Sequence, residues 1–329
     1  MNEPVLFMFG PARGGTTYLG SILEEWFDVG TGPEGTFIEK ARQFADQLGN
    51  LSKPENKLAY AKHLSQVEML EIIRKRYPDD LTFDVTPEHI LERMPGDTAA
   101  DGIFAVFKAV ADFRNKSRVG NKNPGYWKHL PLLLELFPEN SRFLFILRDG
   151  RDVALSLQNV PWGGQSVYES AIEWRRMIEA VEAFKEKVPE DRFLLVRYED
   201  LLTDPAKEIR NIGQLLQEED VSNIISGIEQ DMAANDKRSN FDKWKTELSA
   251  QDVEYFEALA GDALANYGYE TVNINPRMSS AIKLKFIGQR FFRLFKLNIF
   301  DFNRKLPQDK AKWQTSRIKA FFQPGANKK

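Results

Sequence analysis

Five apolar residues, Val5 to Phe9, run straight into Gly10-Pro11-Ala12-Arg13-Gly14-Gly15 and then into a helix-forming stretch that opens near Thr16. Few architectures accept that order. A short apolar run bounded by glycine reads as a strand buried on both faces, and a strand that turns at once into a helix is the opening of a β–α–β unit in a parallel sheet. The turn also carries chemistry. Its glycines let the backbone curl so that N–H groups converge, and the helix N-terminus adds positive potential, which together make a phosphate cradle. Gly10 and Gly15 meet the G-x4-G spacing of a nucleoside triphosphate loop, but Thr16 stands where that loop needs lysine. The one cation in the loop is Arg13. A nucleotide with a different reactive group is expected; the plain alternative is a β–α turn that binds nothing.

A second segment has the same grammar. Phe143 to Leu147 form another apolar run, followed by Arg148, the turn Asp149-Gly150 and a helical stretch from Asp152 that carries Ser156. Arg148 thus stands at the C-terminal end of a strand, where open α/β sheets bind ligands. A guanidinium fork and a hydroxyl two helical turns later suit a phosphate. The alternative is structural, with Arg148 paired to Asp152 and Ser156 packed.

In this order the two segments resemble the 5′-phosphosulfate loop and the 3′-phosphate motif of sulfotransferases that use 3′-phosphoadenosine 5′-phosphosulfate (PAPS). The resemblance covers residues 4 to about 270 and implies PAPS as co-substrate, with no metal. It puts Arg13 at the family's cationic position, wraps Gly14, Gly15, Thr16 and Thr17 round the 5′-phosphate, and gives the 3′-phosphate to Arg148 and Ser156. In Phe193-Leu194-Leu195-Val196-Arg197-Tyr198-Glu199-Asp200-Leu201, a strand with its turn, Tyr198 matches the tyrosine beside the adenine. Tyr18 matches an aromatic that packs on adenine in the cytosolic subclass; a core role is open for both tyrosines. Lys237 and Arg238, in Lys237-Arg238-Ser239-Asn240-Phe241-Asp242-Lys243-Trp244, match a basic loop near the 3′-phosphate more loosely, since the family's glycine there is absent.

Transfer of a sulfuryl group is an in-line displacement governed by positioning and charge neutralisation. The acceptor must lose a proton. Cytosolic sulfotransferases use His in a Lys-Thr-His segment, but the matching stretch is Lys122-Asn123-Pro124. Lys122 is left to bind sulfuryl oxygens. Another branch, including the tyrosylprotein type, carries a Glu shortly after the first helix, where this chain has Gly32-Pro33-Glu34-Gly35. Glu34 is the candidate base, with Glu39 in reserve; the other reading makes Glu34 a cap for a helix starting around Thr36. His63, His89 and His129 lie outside any motif. The resemblance implies a hydroxyl acceptor, expected to be a carbohydrate or glycolipid. The rival is a P-loop-like ATP or GTP kinase or nucleotide-binding module.

At 329 residues the chain can bury one large core, and strands at 4–9, 103–110, 143–147 and 193–197 alternating with helices predict a single α/β domain with a central parallel sheet. The helical stretches 36–76 and 166–187 are the expected walls of the acceptor cleft. Absence of cysteine excludes disulfides and Cys-based metal sites. With no leader before the first strand and no membrane-spanning run, a cytoplasmic protein is expected. The domain is expected to span 1–272, with a C-terminal extension over 273–329. From Pro276 onward there are 14 Lys and Arg against two acids, leaving 31 basic and 46 acidic residues in the rest. In that extension Leu284, Ile287, Phe291, Leu294 and Phe295 share a helical face, with Lys283, Arg290, Arg293 and Lys296 mainly on the other side. Such a helix suits packing on the acidic body, a second subunit in a homo-oligomer, or peripheral contact with an anionic membrane. A basic tail is weak evidence for nucleic acid, which is not an expected partner.

Overall fold

The computed structural model describes residues 3–35, 37–76, 85–160, 166–235 and 241–273, and residues 276, 279, 282, 284, 286 and 288 beyond them. Among the described residues five parallel strands form the sheet, β1 (Val5–Phe9), β2 (Val29–Gly30), β3 (Arg118–Lys122), β4 (Ser141–Leu147) and β5 (Phe193–Arg197), in the order β2-β3-β1-β4-β5. Alternate residues of β1 feed two apolar layers. Val5, Phe7 and Phe9 join Phe143 and Phe145 on one side, while Leu6 and Met8 join Leu144, Ile146 and Val196 on the other. That is why these strands are continuously apolar rather than alternating.

Between β1 and β2 lies α1 (Thr16–Trp26), which covers the second layer. Between β2 and β3 run α2 (Ile38–Leu48), α3 (Pro54–Leu64), α4 (Glu68–Arg76), α5 (Pro87–Arg93) and α6 (Ala99–Phe113). A 3-10 turn, Pro124–Lys128, and α7 (Leu130–Leu136) lead into β4, with α8 (Gly150–Gln158) and α9 (Val167–Lys185) before β5. After β5 come α10 (Tyr198–Thr203), α11 (Pro205–Leu216), α12 (Ser222–Asn235), α13 (Trp244–Glu247) and α14 (Ala250–Asn266).

One expected strand is a helix. Residues 103–110 lie inside α6, whose start is fixed by a capping box: Thr98 Oγ1 accepts the Asp101 N–H at 3.1 Å, and Asp101 Oδ2 accepts the Thr98 N–H at 3.0 Å. The apolar run is long because this helix is buried almost all round, from Ala100 to Phe107 and again from Ala109 to Ala111. Its place in the sheet is taken by β3, whose sequence Arg-Val-Gly-Asn-Lys carries no apolar signal.

In the extension, Leu284, expected on the apolar face, is 68% exposed. Phe286, from among the basic positions, packs instead: its ring stacks on Tyr168 at 5.0 Å and meets Tyr255 edge-on at 5.8 Å. Periodicity shows that a face is apolar but not which ring a neighbour offers. Ile287, Phe291, Leu294, Phe295, Lys283, Arg290, Arg293 and Lys296 lie outside the described residues.

Candidate active site

Those of the expected site residues that are described lie on the loops and helix starts that follow the C-terminal ends of the strands, around the switch point where the chain, having built β2 and β3 on one side of β1, crosses to β4 on the other. The loop after β1 closes through Gly14 N–H to Pro11 O at 2.8 Å. Arg13 (φ 70°) and Gly15 (φ 98°) are both left-handed. A side chain at Gly15 would be strained by that φ and would also strike the Tyr198 ring, whose Cδ2 lies 2.4 Å from an ideal Cβ. Helix α1 opens at Thr16 with no side-chain cap, so its first N–H groups face the loop. Thr16 is buried and Thr17 exposed.

Arg13 Nε donates to Ser156 Oγ at 3.0 Å, and Arg148 Nη1 donates to the Arg13 carbonyl at 3.2 Å. The Arg148 guanidinium lies 4.8 Å from the Tyr198 ring centre, and its Nη2 is 3.5 Å from Asp152. Two loops more than a hundred residues apart therefore share one cationic centre. The structural pairing of Arg148 with Asp152 is therefore present, with the other arm of the same guanidinium on the Arg13 carbonyl. Tyr18 packs against the apolar layer of α1, and burial pushes its hydroxyl pKa well above the ordinary range, with Asp231 and Tyr198 adding to the shift.

Glu34 and Lys122 also meet, Oε1 to Nζ at 2.9 Å, with Lys122 the more buried partner. The polar end of β3 builds this pair. Asn121 Nδ2 reaches the Thr31 carbonyl at 3.3 Å, and Asn123 Nδ2 holds the Gly35 carbonyl at 2.7 Å while its Oδ1 accepts the Gly125 N–H at 2.8 Å. The Lys122 stem crosses α1 at Gly20, where a Cβ would stand 3.2 Å from Lys122 Cδ. Glu34 does not cap α2: that helix has Phe37 at its N-cap and no side-chain capping bond. Glu39 lies in the first turn of α2, 4.0 Å from His129 Nδ1. His63 stacks on Phe44, and burial lowers its pKa; His89 completes the cap of α5 with Thr86. Lys237 and Arg238 fall outside the described residues.

The residues that sequence reasoning missed are buried charges beside the motifs. Glu199 accepts the Asp149 N–H at 2.9 Å and the Tyr269 hydroxyl at 3.0 Å, and burial raises its carboxyl pKa. Arg151 is buried between Asp149 and Glu257 at 2.7 Å from each. The Arg148–Asp152 spacing of four was the only local hint of such pairing. Among the described residues no group of three or more His, Asp or Glu is arranged to hold a metal ion, and no helix is long and apolar enough to cross a membrane.

Residues 4–222 match the model of the sulfotransferase family. Nodulation protein NoeE of Sinorhizobium fredii is 22% identical over 331 residues, covering 88% of this chain and 72% of that protein. The omega-hydroxy-beta-dihydromenaquinone-9 sulfotransferase Stf3 of Mycobacterium bovis is 24% identical, covering 82% and 76%. The protein-tyrosine sulfotransferase of Drosophila melanogaster is 26% identical over 65% of this chain, which spans 38% of that protein. Among solved structures, mouse sulfotransferase SULT7A1 complexed with PAP aligns with a TM-score of 0.45 at 13% identity, over 82% of this chain and 90% of that one. With a family model that spans the sheet from the first strand through β5, this chain belongs to the sulfotransferase family.

Proposed function

We propose that this enzyme moves the sulfuryl group of PAPS to a hydroxyl on a carbohydrate or glycolipid acceptor. The observation that carries the reading is the Arg13–Ser156–Arg148 cluster beside Tyr198 at the mouth of a glycine cradle. Two guanidiniums and an uncapped helix start fit a ligand with two separate phosphates better than one with a single triphosphate chain. A hydroxyl acceptor agrees with the hydroxylated menaquinone and the protein tyrosine in the names of two relatives. Domain limits of 1–272 for the catalytic body and 273–329 for the extension belong to the same proposal; Glu257, which accepts the N–H groups of Val272 and Asn273, supports a body ending there.

The chemistry follows from charge. The acceptor oxygen attacks sulfur as the bond from sulfur to the bridging oxygen breaks, and the electron pair leaves with the 5′-phosphate. Arg13 and the loop N–H groups neutralise that developing charge. Glu34 takes the acceptor proton, while Lys122 holds the carboxylate in place and faces the sulfuryl oxygens. Arg148 and Ser156 bind the 3′-phosphate, and Tyr198 lies beside the base. Thr16 and Thr17 supply N–H and hydroxyl donors to the 5′-phosphate.

A thermal-shift titration tests the nucleotide. 3′-Phosphoadenosine 5′-phosphate (PAP) should stabilise the protein without magnesium, and ATP with magnesium should not. Arg148→Ala should weaken PAP binding by about 2–4 kcal/mol, the scale of a lost charge-assisted fork. Adenosine 5′-phosphosulfate, which lacks the 3′-phosphate, should bind the variant almost as it binds the wild type; equal losses would move the 3′-phosphate elsewhere. Arg13→Ala should lower turnover more than nucleotide affinity, because its charge matters most as the leaving group becomes anionic. A weaker affinity at unchanged turnover would make Arg13 a ground-state ligand only.

A further inference from the structure

Asp152 sits in the first turn of α8 with a side chain that is 0% exposed. Its two oxygens serve three partners, one a helical turn away and two in a single distant segment. Oδ2 accepts the Asp242 N–H at 2.9 Å and lies 3.5 Å from Arg148 Nη2, while Oδ1 accepts the Trp244 N–H at 3.0 Å. A buried carboxylate is costly unless its lone pairs are filled, and these are. Burial pushes the Asp152 carboxyl pKa up, while Arg148 and the two amides oppose the shift.

What this carboxylate holds is not a relaxed turn. Asp242 has φ 61°, a left-handed conformation that L-residues avoid. Lys245 helps to fix it, donating its N–H to the Asp242 carbonyl at 3.1 Å and its Nζ to the Asp242 carboxylate at 2.9 Å. The Trp244 ring then lies over the guanidinium of Arg151, 3.5 Å away, the residue beside Asp152 in sequence. Arg148 is braced at the other end by the Arg13 carbonyl. One carboxylate therefore fixes both a guanidinium at the site and a strained turn behind it.

The geometry points to Asp152 as a positioning residue for the 3′-phosphate: it sets the Arg148 fork and locks the 241–244 turn to it, so that occupancy at Arg148 and order in that turn are coupled. This rests on the assignment of Arg148 to the 3′-phosphate. A carboxylate fits the task because it accepts from two amides and a guanidinium at once. Asparagine would turn a donor toward one of them.

The test compares wild type with Asp152→Asn, using calorimetric titration with PAP and with adenosine 5′-phosphate, and hydrogen exchange at the 242 and 244 amides. The variant should lose about tenfold or more in PAP affinity while its affinity for adenosine 5′-phosphate stays within about twofold, and both amides should exchange faster. In wild type, PAP should slow those amides more than adenosine 5′-phosphate does. Equal losses for both nucleotides, or undiminished preference for PAP, would overturn the coupling. Should the variant fail to fold, the wild-type exchange decides alone, and identical protection by the two nucleotides overturns it. A wild type that does not prefer PAP in the first place would instead refute the 3′-phosphate assignment.

Discussion

Arg151→Ala should lower the unfolding free energy by about 3–5 kcal/mol, the cost of removing one partner from a buried charge cluster. Arg151 is 1% exposed. Its Nη1 meets Glu257 at 2.7 Å, its Nη2 meets Asp149 at 2.7 Å and the Glu270 carbonyl at 2.8 Å, and its Nε meets Asp149 at 3.0 Å. Alanine would leave two buried carboxylates facing one another's side of an empty space. Glu257 also receives the Val272 and Asn273 amides, so the cluster ties α8 to α14 and to the end of the body. With an unfolding entropy near 2.1 cal/mol/K per residue over a body ending near residue 272, the midpoint should fall by roughly 5–9 °C. Arg151→Lys should rescue little, because a point charge cannot span both carboxylates and a carbonyl. A loss below about 1 kcal/mol by urea titration would mean that the carboxylates find other partners or water.

That cluster also marks where sequence reading stops. The loop at Gly10–Thr17 and the Arg148 segment were legible because glycine turns punctuate apolar runs, and the strand ends then had to share one edge of a parallel sheet. The same rule failed at residues 103–110, where a helix buried on nearly every side has the apolar density of an inner strand. It missed β3 for the opposite reason. That strand lies between β1 and β2, and its Asn121 and Lys122 are spent on the Thr31–Gly35 turn rather than on solvent. In Arg148-Asp149-Gly150-Arg151-Asp152 the four charged residues look like a solvated turn, yet all four are buried. Their partners include Glu257, Asp242 and Trp244, about a hundred residues away, and nothing local announces such pairs.

Glu34→Gln should lower transfer by roughly a hundred- to ten-thousandfold, the contribution of a positioned general base. The glutamine carbonyl can still accept from Lys122 Nζ, now 2.9 Å from Glu34 Oε1, so the turn should keep its place. Only the ability to take up a proton is lost. Glu34 is half-exposed, and such a pair is worth at most about 1 kcal/mol, so thermal stability and PAP affinity should stay near wild type. A helix-capping role predicts a stability loss with normal turnover, and α2 begins without any side-chain cap to lose. The two outcomes separate cleanly in one pair of measurements, a melting curve and a rate with saturating acceptor. Lys122→Met sharpens the test: freed from its partner, Glu34 should still accept a proton, so this variant should retain more activity than Glu34→Gln. Near-normal rates in Glu34→Gln would remove the assignment and turn attention to Glu39, in the first turn of α2 beside His129.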